Sequence, residues 1–375
     1  MIRYLQAILF LFITVLLSAQ VPDNDWPQFR GKSDLTGRLK NELPSSPVLL
    51  WSLSTGSKSQ SSLVISGGIL FFGNDKGTVI AVGSDKTICW KYEAGSSVTA
   101  PPLVYGDKVF FGCDNGSFIA LDKKTGKPAW TFNTENQIAG SANIWIAGKR
   151  TGLVFGSYDY NLHCIDPSTG KEIWTLETEN YINGTPAISE NKIVFGGCDG
   201  FLRIVDPVTG KQRDTINIGV YIAASPALSG QKAYFGDYNG NFYCIDIIKG
   251  KLDWKTSVSE ESGSIMSIPA TDGNVVIIGR EDNLLYCYDA CSGKLIWKYR
   301  TNGSIKGSAV ITPSKVLFGS SDGNIYILSL KDGKKLWSFN AGSPVISSPA
   351  VAGDRFYFLT DDGRLLAFGN KNVVK

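Results

Sequence analysis

The chain has 375 residues, of which 43% are hydrophobic and 19% charged, and it contains 41 Gly. This composition is typical of a compact, turn-rich protein and excludes a disordered or collagen-like chain. The formal net charge of +3 does not favour a nucleic-acid partner, and the single histidine, His163, excludes metal sites built from several histidines.

Residues 1–19 are predicted to be a signal peptide. Arg3 supplies a positive charge, residues 7–17 form an apolar run too short to span a bilayer, and Ala19 ends a small-residue cleavage site. We therefore expect a periplasmic or secreted protein. No lipid anchor is expected, because the first cysteine is Cys89. No later window is apolar enough for a membrane span.

Residues 20–47 are predicted to be a lead-in segment, and an internal repeat follows them. Each unit of about forty residues contains a small-Pro-apolar strand, a second apolar strand, an Asp-Gly or Asn-Gly turn, an alternating strand, and a Thr-Gly-Lys turn before a Trp strand. Four short strands per unit without a helical period predict propeller blades. The tryptophans expected to dock the blades are Trp51, Trp90, Trp130, Trp174, Trp254, Trp297 and Trp337, and Arg213 stands in place of a Trp in the remaining unit.

The two ends of the repeat region complement each other. The Trp51 strand has no preceding strands of its own, and the last unit lacks an outer strand. We therefore expect an all-β, eight-bladed β-propeller of four-stranded antiparallel blades over residues 48–369. The Trp51 strand should complete the last blade and close the ring. Residues 370–375 are a predicted tail.

The repeat resembles a known family. Residues 120–130, ALDKKTGKPAW, resemble the Ala-x-Asp-x-x-Thr-Gly-Lys-x-x-Trp docking repeat of pyrroloquinoline-quinone (PQQ)-like propellers, and residues 25–31, DWPQFRG, resemble the segment that often opens them. The resemblance implies one of two functions. One branch consists of quinoprotein dehydrogenases that hold PQQ with calcium, and the other resembles the non-catalytic propeller component of the outer-membrane β-barrel assembly machinery.

The residues expected to ring the central channel favour the non-catalytic branch. Calcium takes six to eight oxygen ligands, several of them from carboxylates. The residues just before each innermost strand include no carboxylate, and Lys58 and Lys306 are the nearby cations. We therefore expect a binding or scaffold protein without a cofactor or metal, and a PQQ- and calcium-dependent dehydrogenase is the alternative.

One face of the disc is expected to carry the recognition surface. The connections between blades and the hairpins between second and third strands should share this face, and their sequences are mostly acidic. We expect a monomer whose acidic face binds a protein, peptide or glycan of the cell envelope. Six aromatic residues near these loops are a candidate platform or simply rim packing: Trp145, Tyr158, Tyr160, Tyr181, Tyr221 and Tyr238. The candidate binding residues are Glu135, Gln137, Glu177, Glu179, Tyr181, Glu260, Glu261 and Lys306.

The remaining reactive residues are predicted to be structural. His163 lies at a position that other units fill with residues such as Tyr243, so we expect packing or hydrogen bonding between blades. Cys164, Cys244 and Cys287 share a repeated position that alanine fills in other units, which indicates small buried side chains.

Overall fold

The structure is a computed structural model that describes residues 25–257 and 263–371. The predicted signal peptide lies outside the described residues. The described chain forms 32 strands in eight four-stranded antiparallel sheets, which confirms the prediction of an all-β, eight-bladed propeller. No helix within these two ranges has the length and hydropathy needed to cross a membrane.

The first four blades follow in chain order after a single leading strand, β1 (Val48–Ser54). Blades 1 and 2 contain β2 (Val64–Ser66), β3 (Ile69–Phe72), β4 (Thr78–Gly83), β5 (Ile88–Glu93), β6 (Leu103–Tyr105), β7 (Lys108–Gly112), β8 (Ser117–Asp122) and β9 (Pro128–Asn133). Blades 3 and 4 contain β10 (Asn143–Ala147), β11 (Arg150–Gly156), β12 (Asn161–Ile165), β13 (Glu172–Glu177), β14 (Ala187–Ser189), β15 (Lys192–Gly196), β16 (Phe201–Val205) and β17 (Gln212–Asn217).

The last four blades repeat this order, and blade 8 takes its outer strand from β1. Blades 5 and 6 contain β18 (Ala227–Ser229), β19 (Lys232–Gly236), β20 (Phe242–Asp246), β21 (Lys251–Thr256), β22 (Ala270–Thr271), β23 (Val275–Gly279), β24 (Leu284–Asp289) and β25 (Leu295–Arg300). Blades 7 and 8 contain β26 (Val310–Ile311), β27 (Lys315–Gly319), β28 (Asn324–Ser329), β29 (Lys335–Asn340), β30 (Ala350–Ala352), β31 (Arg355–Leu359) and β32 (Arg364–Gly369).

The ring closes where the sequence predicts. Strand β1 pairs with β32, and Trp51 lies opposite Ala367. Innermost strand β2 of blade 1 also contacts β30 of blade 8. The first and last parts of the repeat region therefore share one sheet, which removes an open edge from the array.

The core lies between the blades, because both faces of each sheet are covered. Phe118 of blade 2 and Phe155 of blade 3, for example, stack with centroids 4.1 Å apart. The repeat tryptophans add a second contact between neighbours: Trp90 Nε1 donates to the Lys123 carbonyl of blade 2 at 3.0 Å. Gly126, at φ +68°, lies against this indole, since a Cβ there would stand 2.7 Å from a Trp90 ring carbon. Equivalent indole bonds extend from Trp51, Trp130, Trp174, Trp254 and Trp297, and Trp337 packs on Phe356 and Phe368.

Blade 4 corrects one sequence assignment. The tryptophan of a blade pairs with a fixed position of the third strand, as Trp174 does with Cys164. In blade 4 the residue in that register is Asp214, opposite Ile204, and not Arg213. The side chain of Asp214 faces Gly250 of blade 5, where other blades place an indole against glycine. Arg213 is shifted by one residue and forms an ion pair with Asp206.

The lead-in segment lies inside the ring. Its backbone bonds the innermost strands in blade order, beginning with reciprocal bonds between Trp26 and Ile65 of blade 1. Further bonds join Pro27 to Val104 of blade 2, Ser33 to Ile188 of blade 4, Asp34 to Leu228 of blade 5, Thr36 to Thr271 of blade 6 and Gly37 to Ile311 of blade 7, and Ser33 Oγ reaches Ile144 of blade 3.

Arg30 anchors this segment to blades 6 and 7. Only 2% of the residue is exposed, and its guanidinium donates to the carbonyls of Ala309 at 2.5 Å, Pro269 at 3.3 Å and Leu35 at 3.4 Å. Burial lowers the pKa of Arg30 to about 9, and Asp34 opposes this shift. The group is therefore charged at neutral pH, and carbonyl dipoles of two blades hold it in place.

Candidate functional site

The two faces of the disc carry different loops. Hairpins between the second and third strands bond the connections between blades, as the Asp75 amide does with the Lys58 carbonyl. We call this side the connection face. The other two sets of turns bond each other on the opposite side, as the Lys123 amide does with the Asp107 carbonyl, and we call that side the turn face.

A pocket of about 310 Å³ opens from the central channel toward the connection face. Phe29 of the lead-in segment lies at its inner end, because that segment crosses the channel deeper along the innermost strands. The outer ring of its lining, four residues before each innermost strand, is formed by Gln60, Thr99, Ala139, Asn183, Ala223, Met266, Lys306 and Ile346.

A second ring, two residues deeper, ties neighbouring blades together through side-chain hydroxyls. The Ser308 amide donates to Ser348 Oγ at 2.9 Å, and the Ser348 amide donates to Ser62 Oγ at 2.9 Å across the closure of the ring. The same bond joins blades 3 to 4, 4 to 5 and 6 to 7. We call it the hydroxyl ring. Six of its eight positions carry a hydroxyl, namely Ser62, Ser141, Thr185, Ser225, Ser308 and Ser348, and Pro101 and Ile268 fill the other two.

Two polar side chains of the outer ring stand out. The side-chain nitrogen of Asn183 donates to Cys198 Sγ at 3.2 Å, and its buried Oδ1 has no hydrogen-bond partner in the described residues. Lys306 forms an ion pair with Glu281 at 3.4 Å, and Glu281 also accepts from Ser264 Oγ at 2.5 Å. The pocket lining therefore includes one cation, which is paired with Glu281, and one buried amide oxygen, of Asn183, without a partner in the described residues.

Five tyrosines lie in the hairpins and connections of blades 3 to 5 on the connection face. The rings of Tyr158 and Tyr181 stack with centroids 4.6 Å apart, and Tyr160 lies 5.2 Å from Tyr181. Tyr221 and Tyr238 are each 56% exposed, and the Tyr238 amide bonds the Tyr221 carbonyl at 2.9 Å. The proximity of Tyr181 raises the pKa of Tyr160, and burial raises that of Tyr158. We call these five residues the tyrosine sector.

The repeat shows that these tyrosines are not required by the fold. One backbone bond, from hairpin to connection, recurs in every blade, and outside blades 3 to 5 its two residues are small, polar or charged, or proline. From blade 1 to blade 8 the pairs are Asp75 with Lys58, Asp114 with Ser97, Tyr158 with Gln137, Cys198 with Tyr181, Tyr238 with Tyr221, Glu281 with Ser264, Ser321 with Ser304 and Asp361 with Pro344.

Tyr160 is the most unusual member of the tyrosine sector. Its φ is +72°, a left-handed conformation in which a large side chain costs about 1–2 kcal/mol. Six other blades place glycine at this hairpin position, and blade 6 places Asn283 there at φ +67°. Backbone strain of this kind is common at functional sites, where the strained residue is retained because its side chain takes part in binding or catalysis.

Several of the hairpin acids that the sequence places on this face point inward. Asp159 Oδ2 lies 2.9 Å from His163 Nε2, and Asp199 pairs with Arg203 at 2.7 Å. Asp237 accepts from the Tyr243 hydroxyl at 2.7 Å. These side chains lock each hairpin to the third strand of its blade. His163 packs against Phe132 and Phe155, in agreement with the structural role expected for it.

Burial tends to raise the pKa of Asp159, but the bond and the charge of His163 outweigh it and lower the pKa overall. The Asp159 side chain is 3% exposed, so its carboxylate faces His163 rather than the surface of the connection face. The predicted aromatic Trp145 also lies inside the protein, because it is 4% exposed and its indole bonds Cys164 Sγ. Cys164, Cys244 and Cys287 are buried and free, as expected for small core side chains.

The structure brings most of the predicted binding residues to two neighbouring connections. Glu135 and Gln137 lie between blades 2 and 3, where Gln137 Nε2 donates to Asp114 at 2.8 Å. Glu177 ends β13 of blade 3, Glu179 and Tyr181 follow it in the connection to blade 4, and both glutamates are exposed. Lys306 lies apart, between blades 6 and 7 at the channel mouth, and Glu260 and Glu261 lie outside the described residues.

The pocket does not offer the ligands that calcium-bound PQQ requires. Its lining contains hydroxyls, amides and Lys306 but neither Asp nor Glu, whereas calcium prefers several carboxylate oxygens. In residues 25–257 and 263–371, no group of three or more His, Cys, Asp or Glu is arranged to hold a metal ion. The residues present do not fit this group, and we assign no reaction step to it.

Comparison with protein families gives a match across the repeat region. The family model described as outer membrane protein assembly factor BamB matches residues 46–157, 138–267 and 261–372. The chain belongs to the BamB family. No curated protein sequence matches this BamB-family chain significantly.

Solved structures similar to this BamB-family propeller include both functional branches. BamB from Moraxella catarrhalis is 19% identical, with a TM-score of 0.73 over 88% of this chain and 99% of the other. A europium-containing methanol dehydrogenase is 14% identical, with a TM-score of 0.80 over 93% and 98%. Quinohemoprotein alcohol dehydrogenase ADHIIG from Pseudomonas putida HK5 is 15% identical, with a TM-score of 0.76 over 94% and 81%. These likenesses show the fold and leave both functions open.

Sequence reasoning missed two parts of the site. The hydroxyl ring was not anticipated, although its serines precede the innermost strands at a constant spacing. The position of Phe29 at the inner end of the pocket was also missed, because the lead-in segment has no repeat partner from which its path could be inferred.

Proposed function

We propose that this protein is an exported, non-catalytic binding propeller that holds a protein partner in the cell envelope through its connection face. The observation that carries the proposal is the tyrosine sector. Within the described residues, the exposed large apolar side chains of this face are Tyr160, Tyr181, Tyr221, Tyr238 and Met266, and all lie from blade 3 to the connection before blade 6.

The position of these side chains supports binding rather than rim packing. Other exposed apolar residues, such as Ile88 and Leu336, are spread over the outermost strands, and Ile248 lies on the turn face. A cluster of exposed aromatic rings beside a pocket is typical of an interaction surface. Family membership agrees with a protein partner, because the family description names an assembly factor for outer membrane proteins.

Site-specific photocrosslinking in living cells tests the proposal. A benzophenone amino acid at Tyr221 should yield a discrete adduct with one partner, identified by mass spectrometry. The same group at Ile248, which is 51% exposed on the turn face of blade 5, should not. Equal adducts at both positions, or none at either, would contradict a partner on the connection face.

A further inference from the structure

We infer that the tyrosine sector binds an extended, positively charged segment of a partner protein, in which Arg or Lys side chains lie over the tyrosine rings. This inference rests on the proposed function and specifies the chemistry of the partner. It is carried by the charge around the five rings, by the openness of their surface and by the conformation of Tyr160.

The surroundings of the rings are negative. Glu135 bonds Asp159 through its amide at 3.4 Å, which places it beside the hairpin of Tyr158 and Tyr160. Glu177 pairs across the strand with Asn161, the residue after Tyr160, and Glu179 lies two residues before Tyr181. All three glutamates are exposed and form no ion pair within the described residues.

The same loops contain no positive charge. Residues 134–142, 157–160, 178–186, 197–200, 218–226 and 237–240 build this part of the connection face, all are described, and none is Lys or Arg. Across the channel, Lys58 and Lys306 occupy the corresponding connections. One side of the face is therefore aromatic and acidic, and the other carries the cations. A cationic side chain gains from both the ring faces and the carboxylates.

An extended segment suits the shape of this surface. The five rings belong to the hairpins and connections of three successive blades, so they are spread along one side of the connection face rather than gathered in one deep cavity. A neutral glycan would also stack on tyrosine rings, but it would not account for three unpaired carboxylates in loops free of cations. A positively charged peptide uses both features.

The repeat provides a variant that separates binding from folding. Tyr160→Gly restores the residue that six other blades carry at this position. The variant should fold, and its Tm should rise by about 1–3 °C because the left-handed strain is relieved. Asn283→Gly is the matched control, since it relieves a similar φ in blade 6, outside the tyrosine sector.

The probe is a fluorescein-labelled peptide of repeated Arg-Gly, titrated with the purified protein and followed by fluorescence anisotropy. We expect saturable binding that weakens with salt. Tyr160→Gly and Tyr221→Ser should each lower the affinity by about two- to fivefold, Glu177→Gln should weaken binding mainly at low salt, and Asn283→Gly should leave it unchanged. No binding, or equal binding by Tyr160→Gly and the unmodified protein, would overturn the inference.

Further titrations separate this inference from the proposed function. A Glu-Gly peptide and an N-acetylglucosamine oligosaccharide are titrated in the same way. If either binds more tightly than the Arg-Gly peptide, and Tyr160→Gly weakens that binding, the ligand is not a positively charged segment. If the Arg-Gly peptide fails to bind while Tyr221 still crosslinks to a partner in cells, only the partner chemistry is wrong. Failure of both experiments would contradict the proposed function itself.

Discussion

Replacing Ser348 with alanine tests the role of the hydroxyl ring in joining blades 7 and 8. The Ser348 hydroxyl accepts a hydrogen bond of 2.9 Å from the Ser308 amide, and the two residues are 5% and 3% exposed. Removing it leaves a buried amide without an acceptor, which costs about 1–3 kcal/mol. For a propeller of roughly 340 residues, this corresponds to a decrease in Tm of about 1.5–4 °C.

Calorimetry and urea unfolding of the purified variant measure this loss. Ser348→Thr is the matched control, because Thr185 already occupies an equivalent position and accepts the Ser141 amide at 3.0 Å. Ser348→Thr should lower the free energy of unfolding by less than half as much as Ser348→Ala does. A loss below about 0.5 kcal/mol in Ser348→Ala would refute the reasoning, since it would mean that water in the pocket replaces the hydroxyl fully.

Four further predictions follow from the same structure. Burial raises the pKa of the Cys164 thiol to about 12, so iodoacetamide should alkylate exposed Cys89 and leave native Cys164 unmodified by mass spectrometry at pH 8; modification of both at equal rates would contradict this burial. Asp214→Trp should raise the free energy of unfolding by about 1–2 kcal/mol by restoring the indole contact of blade 4, whereas Asp214→Ala should not. The pKa of Asp206 is lowered to about 2, and the largest cause is the hydrogen bond from Arg213. Because the unfolded value is about 3.9, the carboxylate stabilises the fold above pH 4, and this stabilisation is lost as the pH falls toward 2. The destabilisation by Asp206→Asn, measured by urea unfolding, should therefore shrink over that range. Calorimetric titration with PQQ and calcium should show no saturable binding, and calcium-dependent binding with dye-linked alcohol oxidation would establish the dehydrogenase alternative.

The architecture could be predicted because each blade repeats the same local chemistry. The Trp51 strand has no three strands before it, and the last unit has no outer strand of its own. These two observations were enough to predict the pairing of β1 with β32. The alignment failed by one residue in blade 4, because Asp214 and Arg213 offer no hydrophobic side chain that marks the register. Side-chain periodicity identifies a register only where an apolar residue is buried.

The site was less predictable, since charge in a loop sequence does not reveal where a side chain points. Asp159 and Asp199 read as surface acids, yet each is turned toward a basic partner four residues later. The tyrosines near the loop ends were visible in the sequence. The stacking of Tyr158 on Tyr181 became apparent only in the structure, which places the hairpin of blade 3 beside the connection that follows it.

The path of the lead-in segment has a consequence for biosynthesis. Residues 26–37 emerge from the ribosome before the blades, and they contact the innermost strands of blades 1 to 7 in the order in which those strands are made. The lead-in segment is therefore already present when each blade is synthesised. It can bond the exposed edge of the innermost strand as that strand forms. In a circular permutant that begins at blade 2, the lead-in segment would be synthesised after blades 2 to 7 and the first three strands of blade 8, and it would have to enter between strands that have already formed.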